Sequence, residues 1–292
     1  MQLGLGLPNN SPFGLSPDLL FDWARLGDEA GFSVLATVDR PNYDLWDPLT
    51  TLAAVAAVTS RARLATSILV LPPRNEVLIA KQAAVIDVLS KGRLDLGVAL
   101  GSRADDYEVF GETTKHRVTR LRRQIVRIRE IWADARASTV DHGVCGPAPV
   151  QDPPPILLGA IAEAAQMRAV ELGEGIVFGG AAQPADLAQK IRVLRQAAAA
   201  RGKTQFTFTG FVYVAVGGSR EREAAVAQLT RYYPVLARPA EDMVVHGELS
   251  VIAEAVAAYA EAGLDRLILA PALPELSQVS ALAEHLLPMV QE

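Results

Sequence analysis

The residues of this chain that could do chemistry are few, and their spacing excludes several classes. The four histidines, His116, His142, His246 and His285, are scattered, and none makes a pair at metal-ligand spacing on a helix. No metal site is expected. No Gly-x-Ser-x-Gly elbow and no phosphate-cradling P-loop occur. "GLGLPN" (4–9) holds Gly-x-Gly after a strand start, but the third glycine and the following helix of a dinucleotide fingerprint are missing. What remains is a set of short motifs near the ends of apolar runs. They are Pro8-Asn9, Asp39-Arg40, Ser67 with Pro72 to Arg74, Gly101-Ser102-Arg103, Gly159-Ala160, Gly179-Gly180, Tyr213 and Pro271. They carry little charge. Such a lining suits a flat, largely apolar ligand held by backbone groups.

These motifs need elements that bring them to one edge. Apolar, strand-like runs fall at 2–7, 33–38, 62–70, 93–100, 156–158, 175–179, 206–216 and 266–270. Helical patterns follow them, at 16–31, 47–60, 77–89, 117–134, 161–172, 184–200, 219–232, 249–262 and 275–287. Ser16 before Pro17 and Asp47 before Pro48 are helix-start signals. Continuous apolar strands imply a parallel sheet buried on both faces. Eight such units predict an α/β fold, one closed (β/α)8 TIM barrel spanning 1–292, with a Pro/Gly-rich connector near 135–155. Active sites in such barrels lie at the C-terminal strand ends, where these motifs fall.

Of the 292 residues, 50% are hydrophobic and 21% charged, the balance of a globular protein with a large core. A net charge of −5 gives no basic excess for nucleic acid or an anionic membrane. No run approaches the roughly 18–20 apolar residues of a membrane helix. The lone Cys145 excludes an internal disulfide, and "MQLGLGLPNN" lacks the basic segment of a signal peptide, so a cytoplasmic location is expected. Helix 47–60 is apolar on nearly every side, whereas an outer barrel helix needs one buried stripe. Together with 77–89 it reads as a homodimer face; the alternative is cover by the same chain.

The segment "TSILVLPPRNEVLIAKQAAVIDVLSKGRLDLGVALGSRADDYEVFGETTKHR" (66–117) resembles the bacterial luciferase-like monooxygenases, a family that includes deazaflavin (coenzyme F420) dependent oxidoreductases. The likeness continues through "PPPILLGAIAEAAQMRAVELGEGIVFGG" (153–180) and lies in order and spacing. It implies a (β/α)8 barrel and an oxidoreductase, a monooxygenase using reduced FMN and O2 on a small organic substrate. F420-dependent hydride transfer and a non-catalytic flavin-binding protein of the same fold are the alternatives.

The resemblance also assigns cofactor residues. It implies a cis peptide at Ser67-Ile68, against which the tricyclic ring stacks, and places Gly101 beside that ring. Asp39 matches an acid that contacts the cofactor in several members; its other reading is a solvent-exposed rim pair with Arg40. Arg40 itself stands where many members have a proton-transferring His. Leu100 replaces a phosphate-binding Arg of some flavin-using members. Gly159-Ala160 is followed by Ile161-Ala162 where relatives have a second glycine and hydroxyl residues, leaving only backbone donors for a phosphate. Gly179-Gly180 allows close backbone approach. Arg117 is either a phosphate ligand or a surface helix arginine. These departures fit transient use of reduced flavin from a separate reductase, another cofactor, or lost catalysis. No general base is assigned. The substrate would meet loops 101–116, 135–155 and 233–248. Arg103, Asp105, Asp106, Tyr107 and Arg238 are either substrate contacts or solvated loop residues.

Overall fold

Strand and helix alternate along the chain in a computed structural model that describes residues 1–9, 15–138, 143–180, 182–233 and 239–290. The first half runs β1 (Gln2–Gly6), α1 (Pro17–Ala30), β2 (Val34–Thr37), α2 (Pro48–Val58), β3 (Arg63–Thr66), β4 (Leu69–Val70), α3 (Glu76–Leu89), β5 (Leu94–Ala99), α4 (Asp105–Glu108) and α5 (Arg117–Ala137). The second runs β6 (Ile156–Gly159), α6 (Glu163–Leu172), β7 (Gly175–Val177), α7 (Pro184–Ala199), β8 (Thr207–Val216), α8 (Ser219–Tyr232), β9 (Val244–Gly247), α9 (Leu249–Glu261), β10 (Arg266–Pro271) and α10 (Leu276–Val290). The helix starts follow the local chemistry. Ser16, Asp47 and Asn75 each accept a backbone N–H from the first turn of the helix they precede.

All strand pairings are parallel. The order β10-β1-β2-β3-β5-β6-β7-β8 closes through β8–β10 pairing, with β3 and β4 together forming one stave against β5. This is the eight-stave TIM barrel expected from the strand count. Two details differ from expectation. The third strand is not continuous but breaks at Ser67-Ile68. A ninth strand, β9, was not expected; four residues are too short for a periodicity signal. It pairs with the second half of β8, whose first half pairs with β7.

Alternation along the strands separates two cores. Leu94, Leu96 and Val98 join the main apolar core, between barrel and helices. Asp95, Gly97 and Ala99 therefore face the barrel interior. The interior is charged at its N-terminal end, where Asp95 pairs with Arg63 and Arg266. Toward the C-terminal end it is small: Gly6, Ala36, Ala99, Gly159 and Ala270 leave room in the mouth. Another buried acid is structural. Asp28 accepts backbone N–H groups of Ser60, Arg61 and Ala62. Burial raises its pKa, but these bonds outweigh burial and hold it below the usual carboxylate value. Among the described residues no helix is long and apolar enough to cross a membrane, and no group of three or more His, Cys, Asp or Glu could hold a metal.

Gly97 sets the spacing of the third and fourth staves. The Thr66 hydroxyl donates to the Gly97 carbonyl at 2.6 Å, and a Cβ at Gly97 would sit 2.0 Å from the Thr66 carbonyl oxygen. Neither backbone can yield without breaking the ladder. Gly97→Ala is expected to cost at least about 3 kcal/mol in urea unfolding. Gly143→Ala, with nothing within 4 Å of the added Cβ but a φ of 82°, is expected to cost about 1 kcal/mol.

Candidate functional site

The Ser67–Ile68 peptide bond is cis, as the resemblance implies. Ser67 and Ile68 are half-buried, although Thr66 and Leu69 on either side are fully buried. They therefore face the opening of the barrel. The Ser67 N–H stays bonded to the Thr37 carbonyl at 2.7 Å. Gly159 lies across from this break; its missing Cβ would touch Ile68 at 3.1 Å and Ala99 at 3.0 Å. The structure thus brings Ser67, Ile68, Ala99 and Gly159 into one small-residue floor, with Gly101 at the adjoining strand end.

Asp39 is fully engaged. Its carboxylate, 4% exposed, accepts the Val70 N–H at 2.9 Å and a two-oxygen contact from Arg74 at 3.0 Å. Burial pushes its pKa up to about 6, against the pull of Arg74 and the Val70 N–H. The pairing of Asp39 with Arg40 at an exposed rim does not occur. Arg40 turns the other way and is buried: it donates to the Tyr232 carbonyl and lies 4.3 Å from the Tyr43 ring centroid and 5.4 Å from that of Tyr232. It has no carboxylate within ion-pair distance among the described residues, and its charge is stabilised by ring faces.

Where the resemblance implies a phosphate, side-chain donors are few. α6 begins at Glu163, two residues later than expected, so Ile161 and Ala162 form the approach to the helix. Ala162 makes no side-chain cap, Ile161 is 83% exposed, and Glu163 places an acid in the first turn. The Ala160 side chain is buried and its N–H is spent on the Val177 carbonyl at 3.1 Å, so Ala160 offers no donor. The Leu100 carbonyl accepts from the Tyr107 hydroxyl. Arg117 is half-buried and reaches back to the Gly101 carbonyl at 2.9 Å, bracing the loop after β5. Gly179 is exposed, whereas Gly180 abuts Tyr213, whose ring would be 3.1 Å from an added Cβ.

A cavity of about 80 Å³, partly open to solvent, occupies the other side of the mouth. Its walls come from the ends of β1, β2, β8 and β10 and from α8, including Pro8, Val38, Phe211, Tyr213, Tyr232 and Pro271. The Tyr213 and Tyr233 hydroxyls are 2.8 Å apart. Tyr232, the last residue of the expected helix 219–232, was not singled out from the sequence, and Tyr233 opens the loop 233–248 expected to meet the substrate; their signal is two adjacent aromatics closing a charged segment. Two candidates read as possible solvated loop residues are otherwise placed. Tyr107 is fully buried, and Asp106 is 3% exposed and accepts the Asn42 N–H, because α4 folds over the mouth. Arg103 pairs with Asp105. Arg238 and His142 lie outside the described residues.

The raised Asp39 pKa has a definite sign. The folded state holds a proton that the unfolded chain, at 3.8, has lost. The stability this proton carries is present below about pH 4 and is lost as pH rises through about 6. Relative to Asp39→Asn, wild-type unfolding free energy should fall by about 1.4 kcal/mol per pH unit across that window, about 3 kcal/mol in all. Urea denaturation of both proteins from pH 4 to 7 measures it; a flat difference would contradict it.

Known proteins share this architecture. A monooxygenase from Streptomyces bottropensis superposes over 99% of this chain and 100% of its own, with a TM-score of 0.82 and 23% identity. An F420-dependent secondary alcohol dehydrogenase covers 100% and 99%, with a TM-score of 0.80 and 15% identity. At these identities the likeness is one of fold. In sequence, a Mycobacterium tuberculosis protein without an assigned activity is 35% identical over 120 residues, 39% of this chain and 43% of that protein. The oxygenase component of a flavin-dependent trigonelline monooxygenase from Acinetobacter baylyi is 29% identical over 154 residues, 49% of this chain and 43% of that one. The chain thus spans less than half the length of these two relatives. Residues 6–266, most of the barrel, match the family model of luciferase-like monooxygenases, and the chain belongs to that family.

Proposed function

We propose that this protein is a flavin-dependent monooxygenase that takes up reduced FMN from a separate reductase and acts on a small organic substrate. The observation that carries this reading is the floor at Ser67, Ile68, Ala99 and Gly159 beside a mostly apolar cavity. Ser67, Ile68, Gly101 and Gly159 would hold the ring, and Gly179 would flank it. Bound reduced flavin supplies the electrons that activate O2. The chain's part is to hold the ring and keep water from it, and the apolar mouth suits that task. Asp39, tied to Arg74, is assigned the support of the floor and not proton transfer.

The phosphate is the weaker half of the grip. Only backbone N–H groups at the start of α6 face it, with Glu163 in the same turn and Arg117 folded onto Gly101. FMN and riboflavin, in their reduced forms, should therefore bind within about threefold of each other, because a charge-assisted phosphate contact would give tenfold or more. Anaerobic fluorescence titration measures both affinities. FMN binding about 100-fold tighter than riboflavin would defeat this account of the site.

The same backbone-only phosphate site favours a second reading, F420-dependent hydride transfer, the chemistry named for one structural neighbour. The engaged state of Asp39 also motivates a carrier without catalysis. Titration with F420 alongside reduced FMN separates the cofactors. Consumption of O2 and candidate substrate above the rate of free reduced FMN separates enzyme from carrier. If neither cofactor binds below about millimolar concentration, an affinity of only about 4 kcal/mol, the oxidoreductase reading fails.

A second copy of this chain is the partner proposed for the outer helices. α3 exposes Val77, Leu78, Val85, Val88 and Leu89 while packing against α2, a face that can pair with itself about a twofold axis. Wild-type protein should sediment as a dimer and Val85→Glu as a monomer. A wild-type monomer at all concentrations would refute the pairing.

A further inference from the structure

We propose that the cavity between β8, β10, β1 and β2 binds an uncharged, mostly apolar small molecule through one acceptor oxygen, anchored by the Tyr213 hydroxyl, which Tyr233 holds in place. This rests on the oxidoreductase reading of the barrel and names the class of molecule set beside the flavin floor.

The strand order divides the mouth into two consecutive halves. β3/β4, β5, β6 and β7 carry Ser67, Gly101, Gly159 and Gly179; β8, β10, β1 and β2 wall the cavity. Apart from tyrosine, no ionisable side chain among the described residues lines that cavity. An ion entering it would lose its hydration with no opposite charge to replace it. Arg40, the nearby buried cation, is turned onto Tyr43, Tyr232 and the Tyr232 carbonyl and does not line the cavity. The Asn9 amide N–H groups are directed at the Val38 and Trp46 carbonyls.

The tyrosine pair supplies the polar point. Two hydroxyls carry two protons, and the 2.8 Å bond between them uses one. Among the described residues the second has no acceptor, and Tyr213, which lines the cavity, can present it. Burial raises both phenols above their ordinary value, so they stay protonated and act as donors, not bases. Their positions are set by packing. Phe211, Tyr213, Tyr233 and Tyr232 meet edge to face in sequence, with centroids 5.2, 6.2 and 4.6 Å apart, and Tyr43 extends the series from Tyr232 at 5.4 Å. Gly180 gives the Tyr213 ring its space. The cavity thus offers ring edges and apolar walls with a few neutral polar groups, the Tyr213 and Tyr232 hydroxyls and the Gln228 amide, which suits a ketone, aldehyde or ether on a hydrocarbon frame.

The test uses the full chain without flavin, so that its outcome is independent of cofactor binding. Acetophenone, toluene and benzoate are the probes, followed by saturation-transfer NMR and calorimetry. Acetophenone should bind, toluene about fivefold more weakly, and benzoate at least tenfold more weakly, the differences expected of one neutral hydrogen bond and one uncompensated charge. Tyr213→Phe should remove the advantage of acetophenone over toluene and leave toluene unchanged. Tyr233→Phe tests the same pair from the other side if the first variant does not fold. Val38→Phe, which fills the cavity wall, should abolish binding of all three. Benzoate binding as tightly as acetophenone would overturn the proposal, as would equal loss of acetophenone and toluene in the tyrosine variants or binding that survives Val38→Phe. Failure of FMN and F420 to bind, with this pattern intact, would remove the flavin reading and leave the ligand site standing.

Discussion

A single carboxylate holds the candidate site's frame together. β2 ends at Thr37, so the broken third stave has no strand partner on that side beyond the Ser67–Thr37 bond. The Val70 N–H would be left without an acceptor in a buried place, which costs about 1–3 kcal/mol. Asp39 supplies that acceptor from the loop after β2, and Arg74 from the next turn neutralises it. Arg74 in turn reaches Asp47 at the head of α2. Two consecutive β/α loops are thereby locked around the half-buried Ser67-Ile68 step. An acid used this way cannot also be a freely exchanging proton carrier. The raised pKa marks a costly burial held by two partners, and it is a structural signature here before it is a chemical one.

That lock explains why the two halves of the mouth differ. On the β3-to-β7 side Ser67, Ala99, Gly101 and Gly159 stand at the strand ends, with Ile68 among them. On the β8-to-β2 side the surface is built from side chains, chiefly aromatic ones. Arg40 joins the halves: it follows Asp39 directly, yet its guanidinium binds the far end of α8 and stacks on Tyr43 and Tyr232. Two adjacent residues of one loop thus anchor opposite sides of the opening. A histidine at position 40 would have neither the reach nor the permanent charge for that bridging role.

The barrel was legible in the sequence because its signals are local. Proline after a capping residue, apolar runs buried on both faces and glycine exits each act within a few residues. The floor was legible only through resemblance, since nothing in "LATSILVL" itself marks the break at Ser67-Ile68. What escaped was long-range. Asp39 and Arg74 are 35 positions apart, and Arg40 and Tyr232 are 192 apart. No periodicity reports such pairs, so Asp39 was read with its chain neighbour Arg40. Tyr107 and Asp106 read as possible loop residues because their burial depends on α4 lying against the mouth, a tertiary fact. β9 escaped for the opposite reason: "VVHG" is local but too short to carry a pattern.

The changes at the phosphate end need not be losses. A helix N-terminus with Ile161 at 83% exposure and an acid in its first turn is poorly suited to hold a dianion, but a tight hold is not always useful. A protein that receives reduced flavin from another and must release the oxidised form gains from weak binding at the group the two forms share. Discrimination can then lie at the ring, which is what changes on oxidation. An enzyme that keeps its flavin for many turnovers needs the reverse arrangement, with the common phosphate carrying the affinity. Under the proposed function, the side chains here, small where the ring would lie and unhelpful where the phosphate would, fall on the exchanging side of that division. The same logic accounts for the location of the aromatic cluster. If affinity for the cofactor is low, the reacting partners must be ordered by the substrate half, and that half carries the stacked rings, the clamped Arg40 and the fixed Tyr213–Tyr233 hydroxyl pair.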